Sequence, residues 1–83
     1  MNIKEYLQKA EKIYHRKPSL FKTLSPQQEK ALRMRLGLGK TGIKCSYKDI
    51  GHHFAVSGQQ ARNIVTDALV HLGLNSLTDE EDS

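Results

Sequence analysis

The sequence predicts an all-α protein, and three features carry that prediction. Apolar residues recur at intervals of three and four along several stretches, which is the spacing of one helix face. The pattern Ser-x-x-Gln, typical of a helix capping box, occurs at Ser25 and again at Ser57. Glycine follows the apolar stretches at Gly37 and Gly73, where a helix is expected to end. A chain of 83 residues has room for one domain with one core.

The chain divides into three parts. We expect an N-terminal amphipathic helix over residues 1–18, a main helical domain over residues 19–74, and a disordered acidic tail over residues 75–83, which are polar and lack periodicity. Residues 1–78 hold 13 basic and 5 acidic side chains, a balance of +8, and the other four acids are Asp79, Glu80, Glu81 and Asp82. The basic body predicts a polyanionic partner, with nucleic acid favoured over an anionic membrane surface.

The composition also bears on location. No apolar stretch approaches the roughly 20 residues that cross a bilayer, and the first residues are charged, unlike a signal peptide. The single cysteine, Cys45, excludes an internal disulfide and is compatible with a reducing compartment. We therefore expect a cytoplasmic protein without a membrane partner.

The first predicted helix covers residues 3–14. Its apolar residues are Ile3, Tyr6, Leu7, Ala10, Ile13 and Tyr14, and Pro18 ends it because the residue before a proline avoids the helical conformation. We interpret it as a packing or dimerising helix. The alternative, a basic helix lying on a membrane surface, is disfavoured because Glu5 and Glu11 dilute its charge.

The second predicted helix begins after Ser25, with a proline at its first position, and extends to about Leu36. A loop over residues 38–45 follows. Its Gly39-Lys40-Thr41 resembles the end of a phosphate-binding P-loop. That motif requires another glycine at the position of Met34 and a strand before it, so we reject this interpretation.

Two further helices are predicted close together. Ser46 caps a short helix over residues 47–54, and Ser57 caps a longer helix over residues 58–72. The longer helix has a continuous apolar stripe, formed by Ala61, Ile64, Val65, Ala68, Leu69 and Leu72. A short and a long helix separated by about three residues are typical of a helix-turn-helix.

The apolar residues of this segment match a helix-turn-helix in detail. Ile50 and Phe54 lie four residues apart on the first helix, and Gly51 is expected where the second helix crosses closest. Val56 is expected to fill the turn, with Ala61 and Ile64 closing the core from the second helix. The alternative is an αα-hairpin with no role in DNA binding, since packing residues alone do not distinguish the two.

The stretch LSPQQEKALRMRLGL, a loop, and SYKDIGHHFAVSGQQARNIVTDALVHLG together resemble region four of bacterial primary sigma factors. This region is the C-terminal promoter-reading domain of the specificity subunit of RNA polymerase. The resemblance covers about residues 20–73 and is strongest at EKALRMRLGL, residues 29–38, and at IGHHFAVS, residues 50–57.

The resemblance implies that residues 58–72 form a recognition helix in the major groove of double-stranded DNA. It implies that residues 46–48 meet the DNA backbone, and that the opposite face docks on the flap of the polymerase β subunit. The positions that reach DNA in the family are occupied here by Ser57, Gly58, Gln59, Gln60, Arg62 and Asn63.

This chain departs from the family at several positions. The family usually has an arginine and then a glutamate after the capping residue, whereas this chain has Gly58 and Gln59, and Asn63 stands in place of a glutamine. Recognition of the standard upstream promoter hexamer is therefore not expected. The chain has no segment resembling the promoter-melting region, so it is not expected to be a complete sigma factor. It is either an excised domain of the family or a stand-alone regulator built on one, and the additional N-terminal helix and acidic tail favour the regulator.

The residue types suggest which side chains would bind the DNA phosphates and which would read the bases. Basic side chains of the scaffold are expected to bind phosphates, among them Arg33, Arg35, Lys44 and Lys48, and the resemblance adds Ser46 and Tyr47. Glutamine and asparagine on the last helix can pair with adenine, and arginine with guanine. A monomer of this size should bind weakly, so a homodimer or attachment to RNA polymerase is expected to supply affinity.

The last helix also supports an alternative function. Arg62 and Asp67 are its only full charges, so its formal net charge is zero. A domain that kept the fold without DNA reading would act as a protein adaptor, binding RNA polymerase or a sigma-binding regulator.

We expect neither a metal, a cofactor nor an enzymatic activity. Adjacent His52 and His53 point about 100° apart on a helix, and no second cysteine supports a zinc site. The carboxylates lie mostly in the tail, and no Ser/His/Asp or Cys/His grouping resembles a catalytic scaffold.

Overall fold

The computed structural model describes residues 3–74, and these form five helices without a strand. Four are α-helices, which we label α1 (Ile3–Arg16), α2 (Pro26–Leu36), α3 (Tyr47–Phe54) and α4 (Gly58–His71), and a 3₁₀ helix (Pro18–Thr23) connects α1 to α2. The all-α prediction is confirmed. The tail predicted over residues 75–83 lies outside the described residues. No described helix is long and apolar enough to cross a membrane.

The helix starts follow the caps predicted from the sequence. At Ser25 and Ser57 the serine side chain accepts a hydrogen bond from the backbone N–H three residues on, and a glutamine side chain accepts one from the serine N–H. Both capping boxes are therefore confirmed. Ser46 caps α3 by accepting from the Asp49 N–H at 3.1 Å. The last helix ends at His71, one residue earlier than expected.

A single core joins all the described helices. α4 packs against α3 and α2, while α1 packs against the 3₁₀ helix and α4. The largest fully buried side chains come from the 3₁₀ helix, α2, α3 and α4, and they are Phe21, Leu32, Ile50, Leu69 and Val65. Helix α1 adds Tyr6, Leu7 and Ala10 to the same cluster, so it packs on the domain.

The 3₁₀ helix that carries Phe21 is not predicted by the sequence. This segment is only six residues long, and its apolar residues follow no period that would mark a helix. Phe21 is nevertheless wholly buried and packs edge-on against the Tyr14 ring, with 5.2 Å between ring centroids. Through Phe21 the segment therefore packs against α1 and adds to the contacts that α1 itself makes with the core.

The turn between α3 and α4 differs from the prediction in two respects. A Cβ atom added at Gly51 would lie 2.6 Å from the Val56 carbonyl oxygen and 3.0 Å from that of Ser57, so the close contact is with the turn backbone. The Val56 side chain is only partly buried and is not among the apolar side chains packed on the core. Val56 instead closes the turn with its N–H, which donates to the Gly51 carbonyl at 2.8 Å.

Candidate nucleic-acid interface

The starts of α3 and α4 lie side by side. A Cβ atom added at Gly58 would be 3.7 Å from both the Cα and the backbone nitrogen of Lys48, and 3.9 Å from the Tyr47 carbonyl carbon. Each helix start has backbone N–H groups without a partner inside the helix and the positive end of a helix dipole. Two such ends at one place form a surface suited to anions, including phosphates.

The side chains predicted to read bases fall into two groups. Ser57 and Gln60 are exposed, but each makes the hydrogen bonds of the capping box that starts α4. Gln59, Arg62 and Asn63 are exposed and take no part in the cap. Their spacing of three and four places them on one outer face of α4. The structure thus leaves these three side chains available to a partner.

Gln59 and Asn63 are joined to each other. The Gln59 Nε2 group donates to the Asn63 Oδ1 atom at 3.1 Å. The pairing leaves the Gln59 Oε1 atom as an acceptor and the Asn63 Nδ2 group as a donor. The two residues therefore offer one acceptor and one donor beside each other on the exposed face.

Three of the predicted phosphate-binding residues lie near these helix starts in the chain and are exposed. They are Lys44, Ser46 and Lys48. Lys44 and Lys48 make no ion pair within residues 3–74, so both ammonium groups are available to an external anion. Ser46 already uses its side-chain oxygen to cap α3, and its hydroxyl can still donate.

The other three predicted phosphate-binding residues make contacts inside the domain. Arg33 donates from Nε to Glu29 at 3.1 Å and from Nη1 to the Tyr14 hydroxyl at 3.3 Å. Arg35 donates from Nη1 to the Cys45 carbonyl at 3.3 Å and lies over the Tyr47 ring. The Tyr47 hydroxyl oxygen is buried and has no hydrogen-bond partner among the described residues. These side chains hold the scaffold together.

Comparison of the chain with protein-family models, with curated proteins and with solved structures found no match in any of the three.

Sequence reasoning missed the two arginine–tyrosine stacks. The guanidinium carbon of Arg33 lies 5.0 Å from the Tyr14 ring centroid, and that of Arg35 lies 5.0 Å from the Tyr47 ring centroid. Both pairs join residues far apart in the chain, and no local periodicity marks such contacts. The sequence shows only that Arg33 and Arg35 lie near the end of a helix that precedes a loop. That position is equally compatible with phosphate binding, which is how the sequence analysis interprets both arginines.

The histidines of α3 are also placed by the structure. His52 and His53 are both exposed, and the His53 ring packs edge-on against Phe54 with 4.8 Å between centroids. Within residues 3–74, no three side chains of histidine, cysteine, aspartate or glutamate come close enough together to hold a metal ion.

Proposed function

We propose that this chain is a cytoplasmic, DNA-binding transcription regulator that reads the major groove with α4 and acts at promoters with RNA polymerase. The observation that carries the proposal is the close approach of Gly58 to the Lys48 backbone, which a Cβ atom added at Gly58 would meet at 3.7 Å. Because of this approach, two helix starts and the exposed face of α4 belong to one surface. That arrangement resembles the way a helix-turn-helix meets DNA, with its second helix in the groove and its first helix near the backbone.

Phosphate binding is assigned to Lys44, Ser46 and Lys48 and to the backbone N–H groups at the two helix starts. These groups are exposed or lie at helix ends, whereas Arg33 and Arg35 are engaged inside the domain. Contacts of this kind position a protein on DNA without reading sequence, and they make affinity fall steeply with salt.

Base reading is assigned to the outer face of α4. Adenine presents an acceptor at N7 and a donor at N6 in the major groove, which complements the donor of Asn63 and the acceptor of Gln59. Arg62 is suited to the two acceptors of guanine, and each good bidentate pair contributes ~1–3 kcal/mol of discrimination. The proposal therefore predicts a short site containing adenine next to guanine.

The link to RNA polymerase rests on the resemblance of the sequence to region four of primary sigma factors. A single small helix-turn-helix makes few base contacts, so tight binding requires a second attachment point. RNA polymerase or a second copy of the chain would supply it.

Selection of bound DNA from a random pool, run with and without RNA polymerase, tests the proposal. We expect one enriched sequence family, and lower affinity at the higher of two salt concentrations. Arg62→Ala should flatten the preference at one position, whereas Arg16→Ala, which removes the same charge from the end of α1, should leave it unchanged. A pool without enrichment under either condition would contradict base reading.

The low charge of α4 favours a second candidate function. Because Arg62 and Asp67 cancel, its exposed face lacks the excess of positive charge expected of a helix that binds DNA strongly. The alternative is an adaptor that binds RNA polymerase or a sigma-binding regulator without sequence-specific DNA binding. Retention by the isolated β flap, together with no enriched DNA, supports the adaptor, whereas no retention removes the flap as its target.

A further inference from the structure

The acidic residues 79–82 have a basic surface within reach. Lys48 and Arg62 are exposed, and neither of them makes an ion pair within residues 3–74. We name these two residues, with the starts of α3 and α4, the basic surface. We propose that residues 79–82 bind this surface in the absence of DNA and compete with phosphates for it. This inference rests on the proposed function for its consequence, though not for the contact itself.

The structure fixes the point from which the tail leaves the domain. Leu74 is buried, and its N–H donates to the Leu69 carbonyl at 3.0 Å. The chain therefore leaves the domain beside the carboxyl end of α4. The basic surface lies at the other end of α4, a helix of 14 residues. At 1.5 Å per residue, the separation along the helix is roughly 20 Å.

The number of residues between Leu74 and the acids suits this distance. Asp79 is five positions after Leu74 in the chain and Asp82 is eight positions after it. An extended chain spans at most ~3.5 Å per residue, so these carboxylates reach up to roughly 17 and 28 Å from Leu74. Running back along α4, residues 79–82 can therefore meet Arg62 first and then Lys48.

The charges favour this direction over others. Carboxylates are destabilised near the negative, carboxyl end of a helix and stabilised near its positive, amino end. The acids of the tail follow the carboxyl end of α4, while the amino ends of both α3 and α4 lie on the basic surface. Four negative charges there would oppose the two exposed cations, and exposed ion pairs of this kind weaken with salt.

The consequence is competition between the tail and DNA. Under the proposal, DNA phosphates and the tail carboxylates bind the same cations. DNA must therefore displace residues 79–82 before the DNA backbone can bind. Base contacts made by Gln59 and Asn63 are not opposed by carboxylates, because these amides carry no charge. The tail is therefore expected to suppress non-specific binding more than binding to a preferred site.

A spin label at the end of the chain tests the contact without DNA. The full chain would carry Cys45→Ser and Ser83→Cys, with a nitroxide on the new thiol. At low salt, about 20 mM, we expect broadening of the amide resonances of Lys48, Gly58 and Arg62 and none at Lys12 on α1, with the broadening lost near 300 mM salt. No broadening at low salt, or equal broadening at Lys12, would overturn the proposal.

Two tail variants then test the competition. In one, the acids are neutralised by Asp79→Asn, Glu80→Gln, Glu81→Gln and Asp82→Asn. In the other, segments 75–78 and 79–82 exchange places, which keeps composition and net charge but limits the acids to at most ~14 Å from Leu74. We expect both to bind random-sequence DNA about fivefold more tightly than the natural chain at low salt, since several weak ion pairs are lost.

The exchanged variant separates contact from overall charge. If the exchanged variant binds DNA like the natural chain while the neutralised variant binds more tightly, net charge alone determines the DNA affinity. The proposed contact is then wrong. If no variant binds DNA yet the spin-label pattern is seen, the contact is supported and the DNA-binding function fails. The two proposals therefore have distinguishable failures.

Discussion

The guanidinium group of Arg35 lies over the ring of Tyr47, with its central carbon 5.0 Å from the ring centroid. This stack joins the last turn of α2 to the first residue of α3 across the loop between them. The Arg35 hydrogen bond to the Cys45 carbonyl reinforces it. The start of α3, and with it the surface shared with α4, is therefore positioned by α2.

Tyr47→Phe should leave the domain as stable as before or raise its melting temperature. The substitution keeps the ring under Arg35 and removes a buried hydroxyl that has no partner among the described residues, a group that typically costs ~1–3 kcal/mol. Tyr14→Phe is the matched control, because it removes a hydroxyl that accepts from Arg33 at 3.3 Å. We expect it to lower stability by about 0.5–1.5 kcal/mol. Thermal unfolding of both variants measures the difference, and a larger loss for Tyr47→Phe would show that its hydroxyl has a structural role.

Gly51→Ala should destabilise the domain by ~1–3 kcal/mol, because the new Cβ atom would meet two backbone carbonyl groups of the turn. Backbone there cannot yield without shifting α4. Gly39→Ala is the control, since a Cβ atom at that position meets nothing within 4 Å. Chemical denaturation of the two variants checks the prediction. Equal stabilities would mean that the turn relaxes freely.

Ala55→Gly should stabilise the domain. Ala55 follows α3 with φ 59° and ψ 42°, a left-handed conformation that costs an L-residue with a side chain roughly 1–2 kcal/mol. Glycine removes this strain but loses more backbone entropy on folding, so we expect a net gain of up to about 1 kcal/mol. The melting temperature should rise accordingly. Ala55→Val should lower it, and a gain from valine would contradict the assigned conformation.

Gly58→Arg should be tolerated by the fold and should tighten DNA binding. A Cβ atom at this position makes ordinary contact, 3.7 Å from the Lys48 backbone. A guanidinium on this surface could pair with guanine or a phosphate, an effect of ~1–3 kcal/mol when bidentate. His15→Arg, which adds a charge to an exposed position on α1, is the control. Equal gains for both variants would point to net charge alone.

Much of this fold could be predicted because its helix boundaries are encoded locally. Ser25 and Ser57 each carry a glutamine three residues on, and both boxes form as expected. The apolar stripe of α4 was similarly visible, since Ala61, Val65 and Ala68 recur at intervals of three and four and are buried. Signals of this kind involve neighbours within four residues, which a sequence displays directly.

The features that were not predicted depend either on contacts between residues distant in the chain or on a residue in an unfavourable backbone conformation. Tyr14 and Arg33 are 19 positions apart in the chain, and no pattern of charge or hydrophobicity predicts their contact. Ala55 has a left-handed backbone conformation, which glycine usually adopts after a helix. An alanine therefore does not mark this position as the end of α3 in the sequence. At the candidate interface, the capping box that the sequence predicts at Ser57 also occupies the Gln60 side chain, so Gln60 could have been left out of the base-reading residues.

The attachment of α1 has a practical consequence for handling shortened forms of the protein. The main helical domain predicted from the sequence covers residues 19–74, which invites expression of these residues by themselves. Such a fragment would lose Tyr6, Leu7 and Ala10 from the common core, and Phe21 would lose its packing against Tyr14. The newly exposed apolar surface would promote aggregation or self-association of the fragment. DNA-binding measurements on the fragment would then not represent the whole domain.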